Sequence, residues 1–150
     1  MQPLFNRAPQ CKVVITSVTS KCYDRSMKQT ISTDNAPKAD HILSQAIVSG
    51  NTIYVAGQIH NTPDGAMVDG TVQEKVAQIM HNITAILKAA DASLDDIVKV
   101  VIYVTDMAQM PEFNEVYPTY FAQPYPAREA VCVKELPLGA TIEISVVAVK

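Results

Sequence analysis

Arginine is scarce in this chain: of 150 residues only Arg7, Arg25 and Arg128 carry a guanidinium, so Arg128 stands alone after Met27. Cysteine is scarce as well. Cys11, Cys22 and Cys132 form an odd, widely spaced set with only Cys132 in the body, which argues against a disulfide framework and an oxidising compartment. No apolar run approaches the roughly 20 residues a bilayer-spanning helix needs, so no membrane partner is expected. His41, His60 and His81 fall in separate segments without ligand spacing, so no metal site is expected and each reads as an ordinary surface or core histidine. Neither a repeat nor an internal domain boundary interrupts residues 27–150.

What is present describes one globular domain: 48% of residues are hydrophobic and 18% charged, in a length that supports a real core. Charge divides unevenly. Residues 1–28 hold five basic groups against Asp24, a net of +4; the other seven basic and fourteen acidic groups give the rest −7. An acidic body repels phosphates, and the basic head lacks a dense lysine/arginine block, so no nucleic-acid partner is expected. Residues 1–26 are acid-poor, with spaced basic groups and Thr16, Ser17, Thr19, Ser20 and Ser26, a composition that fits a mitochondrial transit peptide. Val13-Val14-Ile15 and the prolines at 3 and 9 oppose a helix there, leaving a disordered tail, or an extension before a second start at Met27, as alternatives, with the cytoplasm as the alternative location.

Along the body, Met27 to Thr33 predicts a strand, and Ile47-Val48, Ser49-Gly50-Asn51 and Thr52 to Ala56 predict a hairpin. Asn61 to Gly70 carries Pro63 and Asp64-Gly65 and predicts a loop. Thr71 to Ala90 repeats apolar residues at three- and four-residue steps, predicting a helix opened by a Thr71–Glu74 capping box. Ile97 to Thr105 predicts a strand with Val98, Val100, Ile102 and Val104 on one face and Val101 and Tyr103 on the other. Pro111 to Phe121 predicts a second helix, and Ala127 to Val133 and Ala140 to Val149 the last strands. The order β-β-β-α-β-α-β-β implies an α+β fold with two helices on one face of a mixed sheet. Apolar residues on both sides of the strands leave one sheet face to be covered by another copy of the chain, a homo-oligomer.

Two residues stand out chemically. Arg128 begins a strand after Pro124-Tyr125-Pro126, where a planar, permanently charged fork suits a carboxylate; a surface ion pair with Glu129 or Glu135 is the plainer alternative. Glu143 lies between Ile142 and Ile144 and needs a partner if buried. It is either an edge-strand charge or a positioned base beside Arg128, and the 15-residue spacing permits neighbouring strands.

Residues 28–150 resemble the YjgF/RidA family of 2-imino acid deaminases through Ala36-Pro37, Ser44-Gln45-Ala46, Gly57-Gln58-Ile59, Asn114-Glu115-Val116-Tyr117, Tyr120-Phe121, Pro126-Ala127-Arg128, Leu136-Pro137-Leu138-Gly139-Ala140 and Ile142-Glu143-Ile144. The resemblance implies a chorismate-mutase-like homotrimer whose sheets form a central barrel, with clefts shared by two protomers. It implies that Arg128 holds the carboxylate of a 2-imino acid, that Glu143 activates water against the C=N carbon, and that Asn114 helps position the substrate. Leu43, Ala56 and Gly57 would line the cleft. No metal or cofactor is implied. Family members commonly carry tyrosine, serine and cysteine where this chain has Leu43, Ala56 and Ala130. A lost hydrogen bond to a charged group costs about 1.5–3 kcal/mol, which fits slow deamination, a greasier substrate, or a carboxylate-binding regulatory module without turnover. A ribonuclease activity is disfavoured by the acidic body.

Overall fold

The computed structural model of the chain describes residues 28–150. The extension at 1–26, with Cys11 and Cys22, and the expected strand start at Met27 lie outside the described residues. Six strands form a single sheet: β1 (Gln29–Ile31), β2 (Ala46–Ser49), β3 (Thr52–Ile59), β4 (Ile97–Val104), β5 (Ala127–Cys132) and β6 (Ile142–Val149). Their spatial order is β1-β2-β3-β6-β4-β5, antiparallel throughout except for the parallel β4–β5 pair. The sheet is therefore mixed, and its last strand slots between β3 and β4.

Two helices cover one face. α1 (Val72–Ala89) packs on β3 and β6 and against α2 (Met110–Val116). The expected capping box forms: Thr71 Oγ1 accepts from the Glu74 amide at 3.3 Å, and Glu74 Oε2 accepts from the Thr71 amide at 2.8 Å. The inward stripe of α1 (Val76, Ile79, Met80, Ile83, Ile86 and Leu87) meets Ile53, Val100, Ile102, Ile142, Ile144 and Val146 of the sheet in a dry core. Each such aliphatic side chain stabilises the fold by about 1.5–3 kcal/mol on burial. Asn82 is fully buried within this layer, its amide donating to the Asn61 carbonyl at 2.9 Å, so its Asn-Ile-Thr sequence is not a surface acceptor.

Two expectations need correction. The second helix does not run to Phe121. It ends at Val116 and gives way to a 3-10 turn, Tyr117–Tyr120, because Pro118 has no N–H for the Asn114 carbonyl and its ring crowds the preceding turn. Nor does Val98 share the inner face with Val100, Ile102 and Val104. The β4–β6 register slips between Ile97 and Lys99, so Ile97 takes the buried position and Val98 turns outward at 48% exposure.

Among the described residues no helix covers the opposite face of the sheet. Tyr54, Val131 and Val149 are exposed there, and Val101, Tyr103, Ser145 and Val147 are half-buried beside them.

Candidate functional site

Arg128 is the second residue of β5, an outer strand of the sheet. Its register partner Val100 is buried, so the guanidinium runs along the helix-covered side and out past the sheet edge. There Nη1 donates to Asn114 Oδ1 of α2 at 2.9 Å, and the guanidinium carbon sits 4.9 Å from the centroid of the Tyr117 ring. The plainer ion-pair alternative does not form: Glu129 pairs instead with Lys99 at 3.1 Å on the other face, and among the described residues no carboxylate engages Arg128. A side-chain amide thus fixes one arm of the fork and an aromatic ring supports its plane, leaving further N–H donors at the exposed edge for an anion. A recess of about 240 Å³ opens against it, lined by Tyr117, Pro118, Tyr125, Pro126 and Arg128 itself.

Glu143 is built differently. It lies on the uncovered face of β6, between the buried side chains of Ile142 and Ile144, and is paired in register with Ile59 and Tyr103. Its carboxylate spreads over Gly57. A Cβ at position 57 would overlap Glu143 Oε1 and come within 2.8 Å of Cδ, so the missing side chain makes the room. A bulge in β3 between Val55 and Gln58 turns both Ala56 and Gly57 toward this side. Half-burial strips water from the carboxylate and raises the Glu143 pKa above the ordinary glutamate value. A carboxylate with a raised pKa is a better proton acceptor near neutral pH.

The chain leading into β2 braces this corner. Gln45 is buried, accepting from the Thr33 amide at 2.6 Å and donating to the carbonyls of Thr33, Ala36 and Pro37; its own carbonyl accepts from the Ala56 amide at 3.0 Å. Leu43, two residues upstream, remains 43% exposed.

Within one chain Arg128 and Glu143 therefore do not face each other. β4 lies between their strands, and they project from opposite sides of the sheet, three rungs apart along β4. The expected candidates sort into two clusters: Arg128 with Asn114, and Glu143 with Gly57 and Ala56. Strand alternation in a three-strand stretch makes a direct pair impossible without a second chain.

Three residues outside the expected site, the core histidine His60 with Lys75 and Thr141, support the Glu143 cluster. His60, just beyond β3, is buried; its Nδ1 lies 3.0 Å from the Val68 carbonyl, which requires a proton on Nδ1, and its Nε2 accepts from the Thr141 amide at 3.0 Å. Lys75 Nζ donates to Thr141 Oγ1 at 3.2 Å. Desolvation first, and then the nearby Lys75 charge, lower the His60 pKa, so the ring is neutral at neutral pH and clamps the chain two residues before Glu143. No spacing signal in the sequence joins residues 60, 75 and 141. Tyr117, the support of Arg128, belongs to the family segment Asn114-Glu115-Val116-Tyr117, and nothing local in the sequence marks it as a platform for the guanidinium. Among the described residues no three His, Cys, Asp or Glu side chains converge, and no helix is long and apolar enough to cross a membrane.

A mixed α+β sheet layered on one face by two helices is the fold of a Rid-type protein. The chain belongs to the YjgF/RidA family, matching the family described as Endoribonuclease L-PSP over residues 33–150. It is 43% identical over 120 residues to Protein MMF1, mitochondrial, of Saccharomyces cerevisiae, covering 80% of this chain and 83% of that one. The crystal structure of yeast Mmf1 superposes with a TM-score of 0.80 over 83% of this chain and 99% of its own. A 2-iminobutanoate/2-iminopropanoate deaminase of Dermatophagoides farinae is 38% identical over 125 residues, 83% of this chain and 98% of that protein. The structure of E. coli TdcF with bound serine is 32% identical, with a TM-score of 0.76 over 81% of this chain and 98% of that one.

Proposed function

We propose that this chain hydrolyses reactive 2-imino acids to 2-oxo acids and ammonia in a cleft between two copies of itself. Arg128, with Asn114, binds the substrate carboxylate on one protomer; Glu143, over Gly57, serves as the base from the next, with Leu43 and Ala56 lining the cleft. Water adds to the C=N carbon while Glu143 accepts its proton and passes it to nitrogen, giving a carbinolamine. The new hydroxyl then gives up its own proton, through Glu143, to the amine, and ammonia leaves as the C–N bond breaks and the carbonyl forms. Such imines hydrolyse unaided in water, so orientation and modest acid–base help are enough. No metal or cofactor takes part in this scheme.

The observation that carries the proposal is the Arg128 fork, fixed by Asn114 and Tyr117 yet unpaired with any carboxylate among the described residues. The opposite placement of Glu143 makes a second copy necessary, and the helix-free, partly apolar face provides a surface for it. The deaminase name of the mite relative and the serine bound in TdcF favour an amino-acid-like carboxylate. The trimer is part of the proposal; sedimentation giving a monomer at micromolar concentration ends it. With imines generated by a serine or threonine dehydratase, the parent protein is expected to speed 2-oxo acid release. Arg128→Ala is expected to lose roughly 10- to 100-fold, the worth of a charged hydrogen bond. An Arg128→Ala variant as fast as the parent sinks the scheme.

A second reading, a carboxylate-binding regulatory module, draws support from apolar Leu43 and Ala56 at the cleft. Calorimetric binding of a 2-oxo acid without any turnover distinguishes it. Residues 1–26 and the mitochondrial relative support a mitochondrial location, tested by fusing 1–26 to a fluorescent reporter.

A further inference from the structure

We infer that the recess beside Arg128 receives the side chain of the substrate, and that it selects 2-imino acids with branched or aromatic apolar side chains over alanine-sized ones. The inference rests on the proposed carboxylate-binding role of Arg128 and adds the substrate class.

The recess and the guanidinium share a wall, so a molecule held by its carboxylate at Arg128 has its adjoining carbons within reach of Tyr117, Pro118, Tyr125 and Pro126. At about 240 Å³ it falls just below the range of drug-sized sites, roughly 300–1,000 Å³, and suits one amino-acid-sized molecule. Its chemistry is one-sided. Pro118 and Pro126 have no N–H to offer, and the Tyr117 hydroxyl oxygen is itself buried, out of a ligand's reach. A charged or amide side chain would shed water here with little to replace it, whereas a branched or aromatic one exchanges water for ring and pyrrolidine surface.

The wall is also stiff. Tyr125 stands between two prolines, and as the residue preceding Pro126 it is confined to extended backbone. Tyr117 is stacked on Phe113 at 5.6 Å and tilted against Phe121 at 4.8 Å, which fixes the floor. Tyr125 itself is 51% exposed, so it forms a rim that a ligand would cover. Ala56, on the Glu143 side, is likewise apolar.

The test uses the whole protein with imines formed in situ from L-amino acids by an L-amino-acid oxidase, with catalase present, and measures kcat/KM for 2-oxo acid formation. Leucine- and phenylalanine-derived imines are expected to exceed the alanine-derived imine by roughly 10-fold or more, the usual yield of apolar pocket discrimination, with the glutamate-derived imine lowest. Tyr125→Ala is expected to shrink the leucine-to-alanine ratio mainly through KM, and Tyr125→Leu to restore it. An alanine-derived imine handled as well as the leucine-derived one, or a ratio unmoved by Tyr125→Ala, overturns the inference. If no imine is accelerated, the deaminase proposal fails, and calorimetry with 4-methyl-2-oxopentanoate against pyruvate judges the recess alone. Tighter binding of the longer acid supports it, and equal binding of the two overturns it.

Discussion

The two faces of β6 use the same eight residues for opposite purposes. Ile142, Ile144, Val146 and Ala148 point under the helices and are buried; Glu143, Ser145, Val147 and Val149 point the other way and are half-buried or exposed. Substitution on the first set acts on the fold. On the second set it acts, under the proposed scheme, on chemistry or on contact with another copy. Period-2 alternation alone separates the two roles, which is why a catalytic candidate can sit in a core strand without loosening the core.

The sharpest way to break that contrast is Ile144→Ala. The side chain is fully buried, so deletion leaves a cavity and is expected to cost about 2–5 kcal/mol in chemical denaturation. A cost below 1 kcal/mol would mean the helix layer is not the core. Next in size is Gly57→Ala. The new methyl meets the flexible end of Glu143 rather than backbone, so imine hydrolysis should fall roughly 10-fold or more while stability changes by less than about 1 kcal/mol. Full activity with an unmoved Glu143 would remove Gly57 from the site.

Acid–base behaviour sharpens the comparison further. His60 has a lowered pKa, so the unfolded chain binds the proton first; stability from the neutral clamp is complete above pH 6.5 and declines as pH falls below it. Glu143 has a raised pKa, so its contribution runs the other way: stability declines as pH rises from 4.5 through the folded value. His60→Gln should therefore flatten the acid-side loss in urea midpoints, and Glu143→Gln the loss on the rising side; identical profiles for both variants and the parent would refute the assignment. The smallest effect belongs to the exposed pair Lys99–Glu129 on the open face. Lys99→Ala should change monomer stability by no more than about 1 kcal/mol, and a larger loss that depends on protein concentration would reveal an interface there.

Much of the fold was legible because it follows local rules. The apolar period of α1 and its Thr71–Glu74 box both appear where expected, with Thr71 and Ala90 as the caps of a helix running Val72–Ala89. The hairpin around Ser49-Gly50-Asn51 forms, with Gly50 at φ 61°, a conformation glycine adopts freely. The two differences have opposite causes. Strict alternation puts Val98 inward, but a bulge is a property of the pair of strands and cannot be read from one of them. Pro118 did carry a signal, a proline seven residues into a helical pattern, and it marks where α2 stops. The link between His60 and Thr141 spans 81 residues and exists only because β6 returns beside β3.

Composition and periodicity were enough to determine the layers and to mark Arg128 and Glu143 as residues of interest, because these depend on local preference and on residue chemistry; the family resemblance added Asn114 and Gly57. Tertiary structure alone decided that β4 stands between β5 and β6 and that Arg128 and Glu143 leave the sheet on opposite sides. Strand order and register are set by which apolar faces pack together across the whole chain, and no local stretch encodes them.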